Sequence, residues 1–167
     1  FNGVGNYSYL GMIGGKQQIS LSQGSTYGTA IHEIGHAVGL IHEHCRNDRD
    51  NYITIFPENV LDDNHLRYFE KYASGETTDI GTFDFNSVML YSSNAFSKNG
   101  TTTMLTKDGL YFIGQRKKLS DGDVAGIETI YGPPFHRMKL DETVIEENVT
   151  GLTDYKESEI DFSIKIY

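Results

Sequence analysis

Hydrophobic and polar positions change period several times along the chain. Tyr7 to Ile13 and Gln17 to Leu21 are short apolar runs on either side of Gly14-Gly15, a pattern that predicts two strands joined by a turn. Ser25 or Thr26 then offers an N-cap for a helix over roughly Tyr27 to Val38. Its apolar positions are Ala30, Ile31, Ile34, Ala37 and Val38, with the histidines on a different face. The β-branched stretch from Asn51 to Phe56 reads as extended. Pro57 opens a helical pattern to about Tyr72, striped by Val60, Leu61, Leu66 and Phe69. Ala73 to Asp84 is polar and reads as loop, and the aromatic-rich stretch after it fits neither standard period. A turn surrounds Asn99-Gly100, and Met104-Leu105 makes a short strand.

The last clear element is a helix from Ser120 to Tyr131. Ser120 and Asp123 form a capping-box-like pair, Val124, Ile127 and Ile130 share a side, and Gly132 with Pro133-Pro134 ends it. The double proline sets the expected boundary between a domain over 1–132 and a C-terminal extension over 133–167. In the extension, the alternation of Ile160, Phe162, Ile164 and Ile166 suggests one or two strands of an appendage or of a further module. The expected fold class is therefore α+β.

Composition narrows the function classes. The chain has 167 residues, enough for one domain with a sizeable core, and 38% hydrophobic content fits a folded protein. A net charge of -9 argues against nucleic acid or an anionic membrane as partner. No apolar run is long enough to span a bilayer, and no signal peptide is recognisable in the glycine-rich, polar start. The first residue is phenylalanine, which suggests processing or truncation. With Cys45 as the one cysteine, no internal disulfide can form, and its thiol is read as a small buried group.

Candidate chemistry is concentrated between Thr29 and Asp50, in TAIHEIGHAVGLIHEHCRNDRD. His32 and His36 stand four apart, hence one above the other on one side of a helix, with Glu33 beside them. A straight helix could not bring a ligand six residues further on to the same ion. Gly39 supplies a sharp turn at little steric cost, so that His42 can swing back. Three neutral imidazoles leave an open coordination position, the arrangement of catalytic rather than structural zinc. A zinc ion there activates water, and Glu33 is placed to take the water's proton and hand it to the leaving amine. His44, His65 and His136 lack ligand spacing and are read as non-catalytic.

With these residues in hand, the chain resembles the catalytic domain of the astacin family of zinc endopeptidases, within the metzincins. The resemblance rests on the zinc motif continuing into HEHCRNDRDNYITI, on Ser87-Val88-Met89-Leu90-Tyr91 as a Met-turn, on IGQRKKLS (Ile113 to Ser120) with the final helix, and on YSYLGMIGGKQQISL near the start. It covers about residues 6 to 132 and implies a metzincin-like zinc protease domain. By resemblance, His32, His36 and His42 bind one catalytic Zn2+, and Glu33 is the general base and acid. Met89 forms the floor beneath the imidazoles, and Tyr91 is a mobile fifth ligand that turns to the oxyanion when substrate binds. Glu43 receives the buried N-terminus after propeptide removal. Asn6, Tyr7 and Ser8 lie where an extended peptide substrate pairs with an edge strand.

The sequence also departs from the family pattern. Leu90 replaces the usual Met-turn histidine, and the family's disulfide cysteines are missing, which points towards a bacterial-type member. Only 31 residues precede His32, so part of the family's N-terminal sheet and helix is absent, one face of the zinc helix is expected to be poorly covered, and the isolated chain is expected to be marginally stable. The leading expectation is a secreted zinc endopeptidase acting on polypeptides, with a propeptide or the missing N-terminal segment as further partner. The alternative is an inactive zinc-binding fragment that serves as a structural or interaction module. Arg116, Lys117 and Lys118 hint that acidic substrate side chains are accepted, or form a solvated basic turn.

Overall fold

A computed structural model describes residues 5–73 and 75–132. The extension over 133–167, with its expected strands, lies outside the described residues, as does Phe1. The order of elements is β1 (Tyr7–Ser8), β2 (Ile19–Ser20), α1 (Tyr27–Ala37), β3 (Ile53–Ile55), α2 (Asp63–Leu66), β4 (Met104–Thr106) and α3 (Asp121–Tyr131). Four single 3-10 turns punctuate the middle of the chain, at Glu43–Cys45, Arg49–Asn51, Pro57–Asn59 and Arg67–Phe69. The fold class is α+β, as expected.

The N-terminal hairpin is shorter than its pattern suggests. β1 pairs antiparallel with β2 only at Tyr7↔Ser20 and Ser8↔Ile19. Gly11, at φ +71, then turns the chain towards α1, and its N–H donates to His36 O at 2.8 Å. The turn at Gly14-Gly15 forms with both residues at positive φ, and the Gln17 side chain holds it by donating to Gly11 O and accepting from Ile13 N–H.

Helix α1 starts at an N-cap on Thr26, whose side chain accepts from Thr29 N–H at 3.2 Å. Its buried positions are Gly28, His32, Glu33 and Gly35, whereas Ile34 is exposed. The burial is thus the reverse of a hydrophobic stripe: the polar side with small residues faces inward. Gly28 explains part of this, since a Cβ there would lie 1.6 Å from Arg116 O, so backbone packs directly on the helix. The exposure of Tyr27 and Ile34 agrees with the expectation that one face of the zinc helix is thinly covered.

The long helix expected from Pro57 to Tyr72 does not form. Pro57–Asn59 is one 3-10 turn, Val60 leaves it in extended conformation to bridge Ser97, and Asp62 restarts the chain as the N-cap of the four-residue α2. The Asp62 carboxylate accepts His65 N–H at 3.0 Å, a local bond that a continuous helix could not use. Val60 and Phe69 are buried all the same, Leu66 is half-buried and Leu61 is exposed, so the predicted stripe is realised only in part.

The main core lies in the middle of the chain. Ile53, Val60, Phe69, Phe83, Leu90 and Met104 form one buried cluster, flanked by Tyr52, Ile55, Phe85, Tyr91 and Phe112. The strands β3 and β4 pair antiparallel across it, with Thr54 opposite Leu105. Arg46, nearly buried, ties the 77–82 loop down through bonds to Ile80 O and Gly81 O and a two-pronged pair with Asp48.

Candidate metal centre

Two local devices bring the histidines together. The first is the helical spacing of His32 and His36. The second is the C-terminus of α1, where Leu40 N–H donates to Gly35 O and Gly39 N–H to His36 O, with Gly39 at φ +103. These two bonds are a Schellman motif, which reverses the chain within two residues. His42 follows the reversal and stacks against His32, with centroids 5.3 Å apart, and edge-on against His36 at 4.5 Å.

The hydrogen bonds on the outer ring nitrogens set the tautomers. His32 Nδ1–H donates to Val88 O and His36 Nδ1–H to Leu40 O, each at 2.9 Å. A carbonyl can only accept, so both Nε2 atoms of the neutral rings carry inward-facing lone pairs. His42 Nε2 lies 3.1 Å from His36 Nε2 and 3.3 Å from His32 Nε2. Tetrahedral zinc with ordinary Zn–N bonds separates two ligand nitrogens by about 3.3 Å. The donor set, its spacing and its tautomers therefore fit zinc.

The surroundings keep these rings neutral. Burial lowers the pKa of His32 to about 3, with Arg116 adding to the effect, and lowers those of His36 and His42 as well. Glu33 is buried beside them, and burial raises its carboxyl pKa while Arg116 partly offsets this. No other described residue donates a hydrogen bond to the Glu33 carboxylate. Its backbone carbonyl accepts Ser8 Oγ–H at 2.8 Å, which fixes β1 beside the helix.

Met89 is 1% exposed and lies under α1: a Cβ on Gly35 would sit 2.8 Å from Met89 Sδ. Its N–H donates to Ser87 Oγ, and its carbonyl accepts Glu43 N–H. The Tyr91 ring stacks near His42 and His44, with centroids at 4.4 and 4.2 Å, and burial raises its phenol pKa. Glu43 accepts Asp84 N–H at 2.7 Å and has Arg46 Nη1 at 3.5 Å, while burial raises its pKa to about 7. Leu90 is fully buried in the apolar core, so this departure from the Met-turn histidine replaces a polar group with packing.

The three strand residues are placed differently from one another. Asn6 Oδ1 accepts from Ser22 N–H, Ser22 Oγ–H and Ser25 Oγ–H, so its side chain ties the strand to the loop before α1. The Tyr7 side chain is exposed. Among the described residues β1 has one sheet partner, β2, which leaves its other edge for a further strand.

Several contributors were not recognised from sequence. His44 is fully buried on Tyr91, with Nε2–H donating to Tyr68 O and Nδ1 without a partner. Cys45 S–H donates to the same carbonyl, in keeping with a structural thiol, and burial raises its pKa to about 12. Asp123 does more than complete the cap of α3. Its carboxylate also accepts Ser87 Oγ–H and Val88 N–H, and so holds the Met-turn. Arg116 donates to Leu90 O and Gln115 O rather than standing in solvent, so this member of the basic run is built into the site wall.

Comparison with known proteins gives a consistent result. Residues 1–132 match the model of the family described as Astacin (Peptidase family M12A). Zinc metalloproteinase nas-15 of Caenorhabditis elegans is 44% identical over 132 residues, covering 78% of this chain and 23% of the relative. Blastula protease 10 of Paracentrotus lividus is 40% identical over 136 residues, with the same two coverages. Among solved structures, high choriolytic enzyme 1, a hatching enzyme zinc-protease from Oryzias latipes, superposes with a TM-score of 0.68 at 33% identity, over 77% of this chain and 65% of that one. The chain thus spans about a quarter of the length of the two curated relatives described.

Proposed function

Because the chain belongs to the astacin family of zinc metallopeptidases, we propose that it carries the catalytic centre of a secreted endopeptidase that cleaves internal bonds of polypeptides. The observation that carries this reading is the convergence of three Nε2 atoms on one point, beside a glutamate whose carboxylate has no hydrogen-bond donor among the described residues. Bound there, zinc would supply Lewis acidity, polarising a peptide carbonyl and making water a competent nucleophile near neutral pH.

The chain's own residues do the rest. His32, His36 and His42 hold the ion, the first two oriented by the carbonyls of Val88 and Leu40. Glu33 accepts the proton of the attacking water and returns it to the leaving amine. Tyr91, whose ring lies tilted against His42, turns its hydroxyl to the oxyanion of the tetrahedral intermediate. Met89 supports the imidazoles from beneath α1. The free edge at Asn6, Tyr7 and Ser8 pairs with the extended substrate through backbone groups, since the Asn6 side chain is already engaged. Glu43 receives a charged amino terminus exposed by propeptide removal. The extracellular location rests on family membership; among the described residues no helix is long and apolar enough to cross a membrane.

The test is Glu33→Gln. The variant is expected to keep one zinc per chain by atomic emission yet to lose about 100-fold or more in cleavage of a fluorogenic peptide. Full activity in the variant, or wild-type cleavage that a chelator leaves untouched, would sink the proposal.

A further inference from the structure

An aromatic ledge runs outward from the metal centre. The Tyr91 ring, 4.4 Å from His42, is followed by Phe96 at 5.5 Å, and Phe96 is 5.1 Å from both Tyr68 and His65. Phe69, almost fully buried, packs edge-on behind Phe96. The outer rings stay open: Tyr68 is 50% exposed and Phe96 37%. Neighbouring Leu61, at 48%, adds apolar surface, and its N–H donates to Phe96 O.

Backbone strain marks the same place. Phe96 sits at φ +48, the left-handed region where a bulky side chain is disfavoured. The other non-glycine with positive φ among the described residues is Asn99, a residue type that tolerates it. At Phe96 the backbone is pinned by the Leu61 bond and by the Val60–Ser97 bridge, and the result is a ring displayed on the surface.

We propose that Phe96, Tyr68 and His65 form a subsite that receives an aromatic side chain of the polypeptide substrate, about three residues from the bond cleaved. The proposal rests on the peptidase reading above. Distance argues for it: the path of ring contacts from His42 to Phe96 is at most about 10 Å, and an extended peptide rises about 3.3 Å per residue. Chemistry argues for an aromatic occupant. The ledge offers ring faces at several tilts, and with His65 Nδ1–H engaged by Asp62 at 2.7 Å its remaining polar atoms are the Tyr68 hydroxyl and His65 Nε2, so ring faces make up most of its surface. The rings touch one another and leave no cage for a cation between them. The ledge is also continuous with the stack over the metal centre, which is where an occupant must lead.

Tyr68→Ala is the decisive variant, because Tyr68 serves the fold through its carbonyl, which accepts His44 Nε2–H and Cys45 S–H, and truncation leaves that carbonyl in place. Matched fluorogenic peptides carrying Phe or Ala at each position, from three before to three after the scissile bond, are assayed with the zinc-loaded wild type and the variant. In parallel, binding of the same labelled peptides to Glu33→Gln, with and without Tyr68→Ala, is followed by anisotropy. One position is expected to show about a fivefold preference for Phe, carried by KM and matched in binding. Tyr68→Ala should abolish that preference and leave cleavage of the Ala peptides unchanged, with an unfolding midpoint lowered only by the lost ring contacts to Phe96 and His65. A preference that survives Tyr68→Ala, an equal loss on Phe and Ala peptides, or no preference at any position would overturn the subsite. If the wild type cleaves no peptide, the peptidase reading falls, and the binding arm alone decides the ledge.

Discussion

One carboxylate, that of Asp123, connects more of this site than its distance from the histidine motif suggests. It accepts Ser87 Oγ–H at 2.7 Å, and Val88 N–H and Ser120 N–H at 2.9 Å each. Val88 in turn presents its carbonyl to His32 Nδ1–H. The cap of α3 is thereby wired to the orientation of the first ligand. Asp123→Ala leaves three buried donors without their acceptor and is expected to cost roughly 3 kcal/mol, read from urea unfolding. Zinc affinity should fall about tenfold or more in a chelator competition, as for other groups that orient ligands. At Tyr91 the expectation differs, because its hydroxyl is assigned to the intermediate. Tyr91→Phe should lower kcat by about tenfold or more and change KM little, as steady-state kinetics on one peptide would show.

Among the elements, α1 illustrates how packing overrides pattern. Its apolar residues suggested a hydrophobic inward face, yet it buries Gly28, His32, Glu33 and Gly35. The glycines let the Arg116 backbone and Met89 approach the helix closely. Gly28→Ala would place a Cβ 1.6 Å from a backbone oxygen, which has no flexible end to yield. The expected loss is about 3 kcal/mol or more of stability in urea unfolding, despite alanine's better helix propensity. The broken stretch from Pro57 to Phe69 shows the complementary case. Apolar periodicity correctly picked Val60 and Phe69 for the core, but it could not reveal that Val60 would pair with Ser97 far along the chain.

At the scale of the whole molecule, the candidate metal site draws on two parts of the chain that meet where Arg116, Val88 and Met89 pack against α1. The hairpin and α1 contribute His32 and His36, while His42, Met89 and Tyr91 come from the part built around the main core. Three largely buried imidazoles whose Nε2 atoms crowd one point gain a common partner when a cation joins them. Zinc should therefore stabilise the fold by mass action, by about 4 kcal/mol when free zinc exceeds its Kd a thousandfold. A chelator should lower the thermal midpoint by roughly 10 °C or more. Equal midpoints with and without chelator would show that the ion contributes nothing to holding the two parts together.

The convergence of the three histidines was legible in the sequence because its determinants are local. Helical spacing puts His32 over His36, and a glycine at the reversal returns His42, all within eleven residues. Caps at Thr26 and Ser120, and the short β3 and β4 segments, are local in the same sense. What the tertiary structure alone decided are the contacts made across long stretches of chain. These include Asp123 holding the Met-turn, His44 beneath Tyr91, Leu90 turned into the core, and the exposed rings of Tyr68 and Phe96 in line with the site. Their partners lie tens of residues apart, and a hydrophobic or polar letter carries no record of which distant neighbour it will meet. Spacing along a helix is set by the backbone itself, whereas pairing across the fold is set by packing, and packing exists only once the chain has closed on itself.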